Sequence, residues 1–292
     1  MVKKSAELPP DIEDLEDYTE TINILCHGDT GSGKTVLWSR LPNVLILALE
    51  EGTVAAKRWE QDHPRPKEAG IIKVWKCPHL NDFVKAYEWC LEAIENDEFP
   101  FEWVIIDSVT AAQTRILRAI MEDVVKNNKT RDPDIPAIQD HFKWQLMLKR
   151  MVTDWNELPV NVVWLARSMN KEDPEGEDIV VPLIEGKDYQ ISAWVCGEMH
   201  LLCYLKKSSK GKDDSRKIIR KLYTNEHDMY WCKDRYGVLP YVITNPDANK
   251  IIQMIIDSGA SPQMETKPVK TSTTKKKAAA KKATAKSKRK VV

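Results

Sequence analysis

The chain has 292 residues, 42% of them hydrophobic, with 44 Lys and Arg against 44 Asp and Glu. That is enough apolar material for one large domain or two small ones, and no apolar run reaches the ~18 residues of a membrane span. The neutral total hides an asymmetry: residues 261–292 hold eleven basic residues and one acid, Glu265, leaving residues 1–260 with 33 basic and 43 acidic residues, a net charge of −10.

Residues 1–20 are acidic and proline-containing, with no apolar signal-peptide core, and read as an N-terminal arm of a cytoplasmic protein. The six cysteines show no CxxC pair and read as reduced, mostly buried thiols. Residues 21–260 form the folded body. Within it, Thr21 to His27 is a short apolar run typical of a buried strand. It runs straight into Gly28-Asp29-Thr30-Gly31-Ser32-Gly33-Lys34-Thr35, the pattern G-x-x-x-x-G-K-[ST] of a phosphate-binding loop, with a helix expected over Val36 to Leu41. The order is what the chemistry needs. A glycine-rich turn closes backbone N–H groups around phosphates, and the helix behind it turns its positive end toward them. Lys34 would reach the β- and γ-phosphates and Thr35 would ligate Mg²⁺.

Asn43 to Leu49 is a second buried strand, with Glu50-Glu51-Gly52 at its end, where open α/β sheets gather ligand-handling residues. A carboxylate there could orient or deprotonate water, and Glu51 is the alternative to Glu50. A short helix over Val54 to Gln61, a strand over Gly70 to Trp75 and an amphipathic helix over Asn81 to Asn96 follow. Glu102 to Asp107 is four apolar residues running into an aspartate, so Asp107 is expected to hold Mg²⁺. Its successor is Ser108, so a catalytic glutamate must come from elsewhere, and Glu50 supplies it.

Val109 to Lys126 and Ala137 to Trp155 read as helices around a polar loop, residues 127–136. Val160 to Ala166 is another buried strand with Arg167 at its end, placed to sense a γ-phosphate. Met169 to Gly186 is charged, contains glycine and proline, and reads as a mobile loop. Ala193 to Leu205, Arg216 to Thr224 and Asp228 to Cys232 read as successive strands. Lys233 and Arg235 alternate and so project together as a two-pronged cation. Asn245 to Ser258 is a last helix, and the low-complexity lysine-rich tail after it is expected to be disordered and to attract polyanions.

Together, GDTGSGKT, LALEEG, VIIDSVTA, VVWLAR and RKLYTNEHDMYWCKDRYGVLP resemble the RecA/RadA/KaiC-type ATPases, and among them the phage-encoded RecA-like recombinases of the Sak group. The resemblance spans roughly residues 20–245. It implies an α/β RecA-like core, a mostly parallel sheet flanked by helices, with an antiparallel C-terminal extension. It implies ATP and Mg²⁺ as ligands, Glu50 as the catalytic carboxylate, Arg167 as a sensor, and Lys233 and Arg235 reaching the ATP of a neighbouring subunit. The expected partners are single-stranded DNA, further copies of the chain in a ring or filament, and a single-strand DNA-binding protein, in the cytoplasm of a phage host. An ATP-switched DNA-binding assembly protein without turnover, a helicase or its loader, and a small-molecule kinase are the alternatives.

Overall fold

The computed structural model describes residues 20–173, 175–186, 190–210 and 217–259. The expected N-terminal arm, apart from Glu20, and the basic tail lie outside the described residues. Four strands are buried along their length or nearly so and read as continuous apolar runs: β1 (Asn23–His27), β2 (Val44–Ala48), β4 (Trp103–Asp107) and β5 (Asn161–Ala166). Such runs suit parallel strands covered on both faces. They pair in the order β1-β5-β4-β2, and β3 (Ile72–Lys76) adds an edge. On the other side of β1 lie β8 (Leu201–Lys210), parallel to it, then β9 (Lys217–Tyr223) and β11 (Val242–Thr244), antiparallel. The two-residue β10 (Lys233–Asp234) pairs antiparallel with the start of β8. The sheet is therefore mostly parallel with an antiparallel C-terminal extension, as the sequence leads one to expect.

Alternation along the strands divides the core. Leu25, Leu45, Leu47, Val104, Ile106, Val162 and Trp164 face a layer that includes α3 (Leu80–Glu95), α4 (Val109–Asn127), α5 (Ile138–Asn156) and α6 (Gln190–Gly197). Ile24, Cys26, Val44, Ile46, Ile105, Val163 and Cys203 face α1 (Lys34–Trp38) and α7 (Ala248–Asp257). A further helix, α2 (Thr53–Asp62), packs beside α1. All six cysteines are buried and free.

Register matters most for function. His27 pairs with Ala166, Leu165 with Asp107, and Asp107 with Ala48. The carboxyl ends of β1, β5, β4 and β2 therefore stop on one rim, and the residues following each strand share it.

Three expectations are corrected. Met169 to Gly186 is no irregular loop: β6 (Ser168–Glu172) and β7 (Asp178–Pro182) form an antiparallel hairpin. The supposed strand from Ala193 begins as helix α6, and β8 starts only at Leu201. Asp228 to Cys232 forms no named strand, only bridges at Tyr230 to Val180 and His227. Its contacts are with β7 instead of a ladder: Val180 N–H donates to Met229 O (2.7 Å) and Trp231 N–H to Val180 O (3.1 Å).

Helix α7 closes the second face, and its first turn is secured by one side chain. Asp247 accepts from the N–H groups of Asn249 (3.0 Å) and Lys250 (3.4 Å) and pairs with Arg40 Nη2 at 3.0 Å. An N-cap of this kind is worth ~1 kcal/mol and a partly exposed ion pair a fraction more. Asp247→Ala should lower unfolding free energy by about 1–2 kcal/mol in urea titration, without altering the nucleotide site.

Candidate nucleotide site

The loop Gly28–Thr35 spans the turn from β1 to α1. Its glycines carry the strain: Gly31 has φ 76° and Gly33, which N-caps α1, has φ 104°, both in the left-handed region that favours glycine. Lys34 Nζ folds back on the loop, donating to Gly28 O (2.8 Å) and Asp29 O (3.1 Å). Burial lowers its pKa, opposed by the nearby Cys26, Asp107, Glu50 and Asp29. Ser32 Oγ is buried with no hydrogen-bond partner among the described residues, an acceptor or donor held ready inside the loop.

Thr35 Oγ1 donates to Asp107 Oδ2 at 2.8 Å. The two proposed metal ligands thus meet, although 72 residues separate them. Asp107 is 4% exposed; burial, reinforced by the charge of Glu50 and opposed by Thr35, Lys34 and Arg167, pushes its carboxyl up to about 6. Gly52, at the start of α2, leaves the room: a Cβ there would lie 3.2 Å from Asp107 Oδ2 and 3.8 Å from Thr35 Oγ1. A hydroxyl, a carboxylate strained by burial and an open approach fit a hard oxygen-liganded cation such as Mg²⁺. The unpartnered Ser32 Oγ and the glycine loop fit the phosphates it would accompany.

Glu50 follows β2 onto the same rim, its N–H donating to Asp107 O (3.2 Å). Its carboxylate is ion-paired with Arg167, the residue that follows β5. The sequence placed these two side chains at separate strand ends; the structure joins them. Arg167 is also bound through its backbone. Its N–H donates to Thr110 Oγ1 (3.1 Å), its carbonyl accepts from Leu183 N–H (2.7 Å), and Thr110 Oγ1 donates to Leu183 O (3.0 Å). The neighbouring Ser168 is hydrogen-bonded to His27 Nδ1 at 2.9 Å. The sensor position, the phosphate loop and the base of the β6–β7 hairpin are therefore one connected unit.

Lys233 and Arg235 stand elsewhere. They do converge, as strand alternation predicts, but on the carboxyl end of α6: Lys233 Nζ donates to Cys196 O (2.8 Å) and Gly197 O (3.3 Å), and Arg235 Nη2 to Gly197 O (2.6 Å). Lys233 pairs with Leu202 and Arg235 N–H bonds His200 O, at the start of β8. By register that is roughly 10 Å (Lys233) and 16 Å (Arg235) along β1 from the phosphate loop, at the rise of a strand. They do not complete the pocket of their own chain.

One cation at the loop escaped sequence reasoning. Arg220, on β9, donates through Nε to Ser32 O at 2.8 Å, and a Cβ on Gly33 would meet that nitrogen at 2.8 Å. No local pattern marks it, because the contact joins residues 188 positions apart.

His27, the last residue of β1, is fully buried between Ser168 and the carbonyl of Trp231, which accepts or faces Nε2 at 2.9 Å. Burial pushes its imidazole down to about 4, the Trp231 carbonyl opposing and Lys34 reinforcing the shift. The unfolded chain, with an ordinary histidine near 6.5, takes up the proton first as pH falls. Stability is therefore full above about 6.5 and declines toward pH 4, by up to ~3 kcal/mol for a shift of this size. Urea titrations between pH 7 and pH 4.5 should show that decline, and His27→Gln should flatten it.

Comparison with curated proteins returned no match. Among solved structures, the flagellar accessory protein FlaH from Methanocaldococcus jannaschii aligns with a TM-score of 0.40 and 12% identity, over 79% of this chain and 88% of that one. Among the described residues no helix is long and apolar enough to cross a membrane. The family model described as AAA domain (AAA_24) matches residues 20–236, from ahead of the phosphate loop to just past Arg235. The phosphate loop behind β1 and the parallel strands around it fit such a domain, and the chain belongs to that family of AAA-type P-loop ATPases.

Proposed function

We propose that the protein hydrolyses ATP with Mg²⁺ and couples hydrolysis to single-stranded DNA, in phage recombination, annealing, repair or replication, as a homo-oligomer. The observation that carries the ATPase part is the convergence of Lys34, Thr35, Asp107, Glu50 and Arg167 on one rim of the sheet. The DNA and phage part draws on the resemblance of the motifs and on the lysine-rich tail, eleven basic residues against one acid in 261–292.

Each residue has a distinct task in this reading. The N–H groups of Gly31 to Thr35 and the Lys34 ammonium bind phosphate, Lys34 exchanging its contacts to Gly28 O and Asp29 O for phosphate oxygens. Thr35 and Asp107 would hold Mg²⁺, which supplies charge neutralisation at the β- and γ-phosphates. Glu50 orients the attacking water and takes its proton. Arg167 holds the Glu50 carboxylate away from that task until a γ-phosphate competes for the guanidinium. Lys233 and Arg235 of an adjacent subunit reach the γ-phosphoryl group, leaving the α6 carbonyls they hold here.

The Glu50–Arg167 ion pair favours a second reading as well. If the pair persists with ATP bound, the protein is an ATP-switched assembly protein with negligible turnover. Steady-state ATP hydrolysis with and without oligo(dT) separates the two, and turnover stimulated by the oligonucleotide is expected. Lys34→Ala should abolish both ATP binding and turnover. Glu50→Gln should keep binding and lose about 10²–10⁴ in turnover. Arg235→Ala should keep binding and lose turnover by about 10³ or more; normal hydrolysis by that variant would rule out the role in trans.

A further inference from the structure

The C-terminal edge of the sheet is charged in an unusual way. The last pairing of β1 with β8 is His27 to Tyr204, and past this point β8 and β9 continue as a ribbon beside the phosphate loop, flanked by β11 as far as Lys221. In its register Lys206 faces Lys221, Lys207 faces Arg220, and Lys210 faces Lys217. The two strands carry these six cations and no acid. Like charges directly opposite one another destabilise an antiparallel pair. Here two such pairs, Lys206 with Lys221 and Lys207 with Arg220, stand in one ribbon, within a body whose residues 1–260 carry a net charge of −10.

Among the described residues, no carboxylate forms an ion pair with Lys206, Lys207, Lys217, Arg220 or Lys221. Lys206 is held by a tyrosine instead: Nζ donates to Tyr230 Oη at 2.8 Å and lies 5.3 Å from its ring centroid. Lys217 and Lys221 are exposed. Lys206, Lys217 and Lys221 share one face of the ribbon, since alternate residues of a strand and cross-strand partners point the same way. Beside it, Tyr241 is half exposed and stacks on His227 with centroids 5.6 Å apart.

We propose that this face of the β8–β9 ribbon binds the phosphate backbone of a single-stranded nucleic acid, with Tyr241 offering a ring on which an unpaired base stacks. A polyanion turns the matched cations from a liability into a binding surface. The assignment rests on the nucleic-acid part of the function proposed above. It assigns the contact to the ribbon and not to the β6–β7 hairpin, whose Glu172, Asp173, Glu175, Glu177 and Asp178 would repel phosphate. The other face of the ribbon carries Arg220, whose bond to Ser32 O ties the ribbon to the phosphate loop.

The test uses the full chain carrying Lys217→Glu and Lys221→Glu, which reverse two exposed charges on this face and set a carboxylate opposite Lys206. Its thermal midpoint should equal or exceed that of the wild type, because the like-charge pair Lys206–Lys221 becomes an opposite-charge pair. By fluorescence anisotropy its affinity for oligo(dT) should fall at least tenfold at low salt. The slope of log affinity against log salt should become shallower by about 1.4, the value for two lost contacts to a single strand. Wild-type affinity carried over intact into the variant overturns the ribbon assignment while leaving a DNA-coupled ATPase standing. A wild-type protein that binds no oligo(dT) overturns both, and a preference for duplex overturns the single-strand assignment. Photocrosslinking of the wild type to oligonucleotides containing 4-thiothymidine keeps the proposal testable should the variant misfold. Crosslinks within residues 201–223 or at Tyr241 support it, and crosslinks confined to 168–186 or 261–292 overturn it.

Discussion

A carboxylate removed from water at the end of a central strand is costly unless something compensates it. Asp107 is that carboxylate, and its surroundings read as the compensation. Thr35 reaches across from the first turn of α1 to donate a hydrogen bond. Lys34 and Arg167 bring positive charge near, and Gly52 withholds a side chain so that a cation could approach. The compensation is incomplete, as the upward shift of the carboxyl to about 6 indicates. A site left short of positive charge in this way is disposed to bind a metal ion.

The electrostatics of the rim follow from strand register. With β2, β4, β5 and β1 ending level, carboxylates at 50 and 107 and cations at 34 and 167 come together without any long loop to carry them. The direct pairing of Glu50 with Arg167 is the cheapest arrangement of those charges when only protein is present. Anything anionic that draws the guanidinium away frees the Glu50 carboxylate at the same moment. The opposite end of the sheet repeats the pattern with neutral acceptors: Lys233 and Arg235 stabilise the carbonyl end of α6, as cations do at helix C-termini.

The parts legible in the sequence were those written locally. The glycine loop, the four buried strands and the aspartate at the end of β4 each fit within ten residues, and periodicity sufficed. Helix α6 was not legible, because QISAWVCG is short and rich in residues that suit strands, and its helical form is secured by cations some 36–38 positions away. The β6–β7 hairpin was hidden by its charged turn, which swamps the apolar signal of Ile179 and Val181. Neither the Glu50–Arg167 pair nor Arg220 at Ser32 leaves a trace in spacing, since both depend on which strands become neighbours.

The β6–β7 hairpin is fastened at its root and at the middle of β7, where Val180 bonds Met229 and Trp231. Ser168 meets His27, Leu183 bonds both Arg167 and Thr110, and Glu185 N–H donates to Gln113 Oε1 at 2.9 Å. At its tip the Asp173 carboxylate accepts from the N–H groups of Glu175 and Glu177. Lengthening that tip costs loop closure, about 0.6 kcal/mol per doubling, whereas one residue inserted at the root would unseat four hydrogen bonds beside the candidate nucleotide site. The outer end of the hairpin can thus change length and chemistry while the inner end keeps its bonds, an arrangement that would let one core carry different tools.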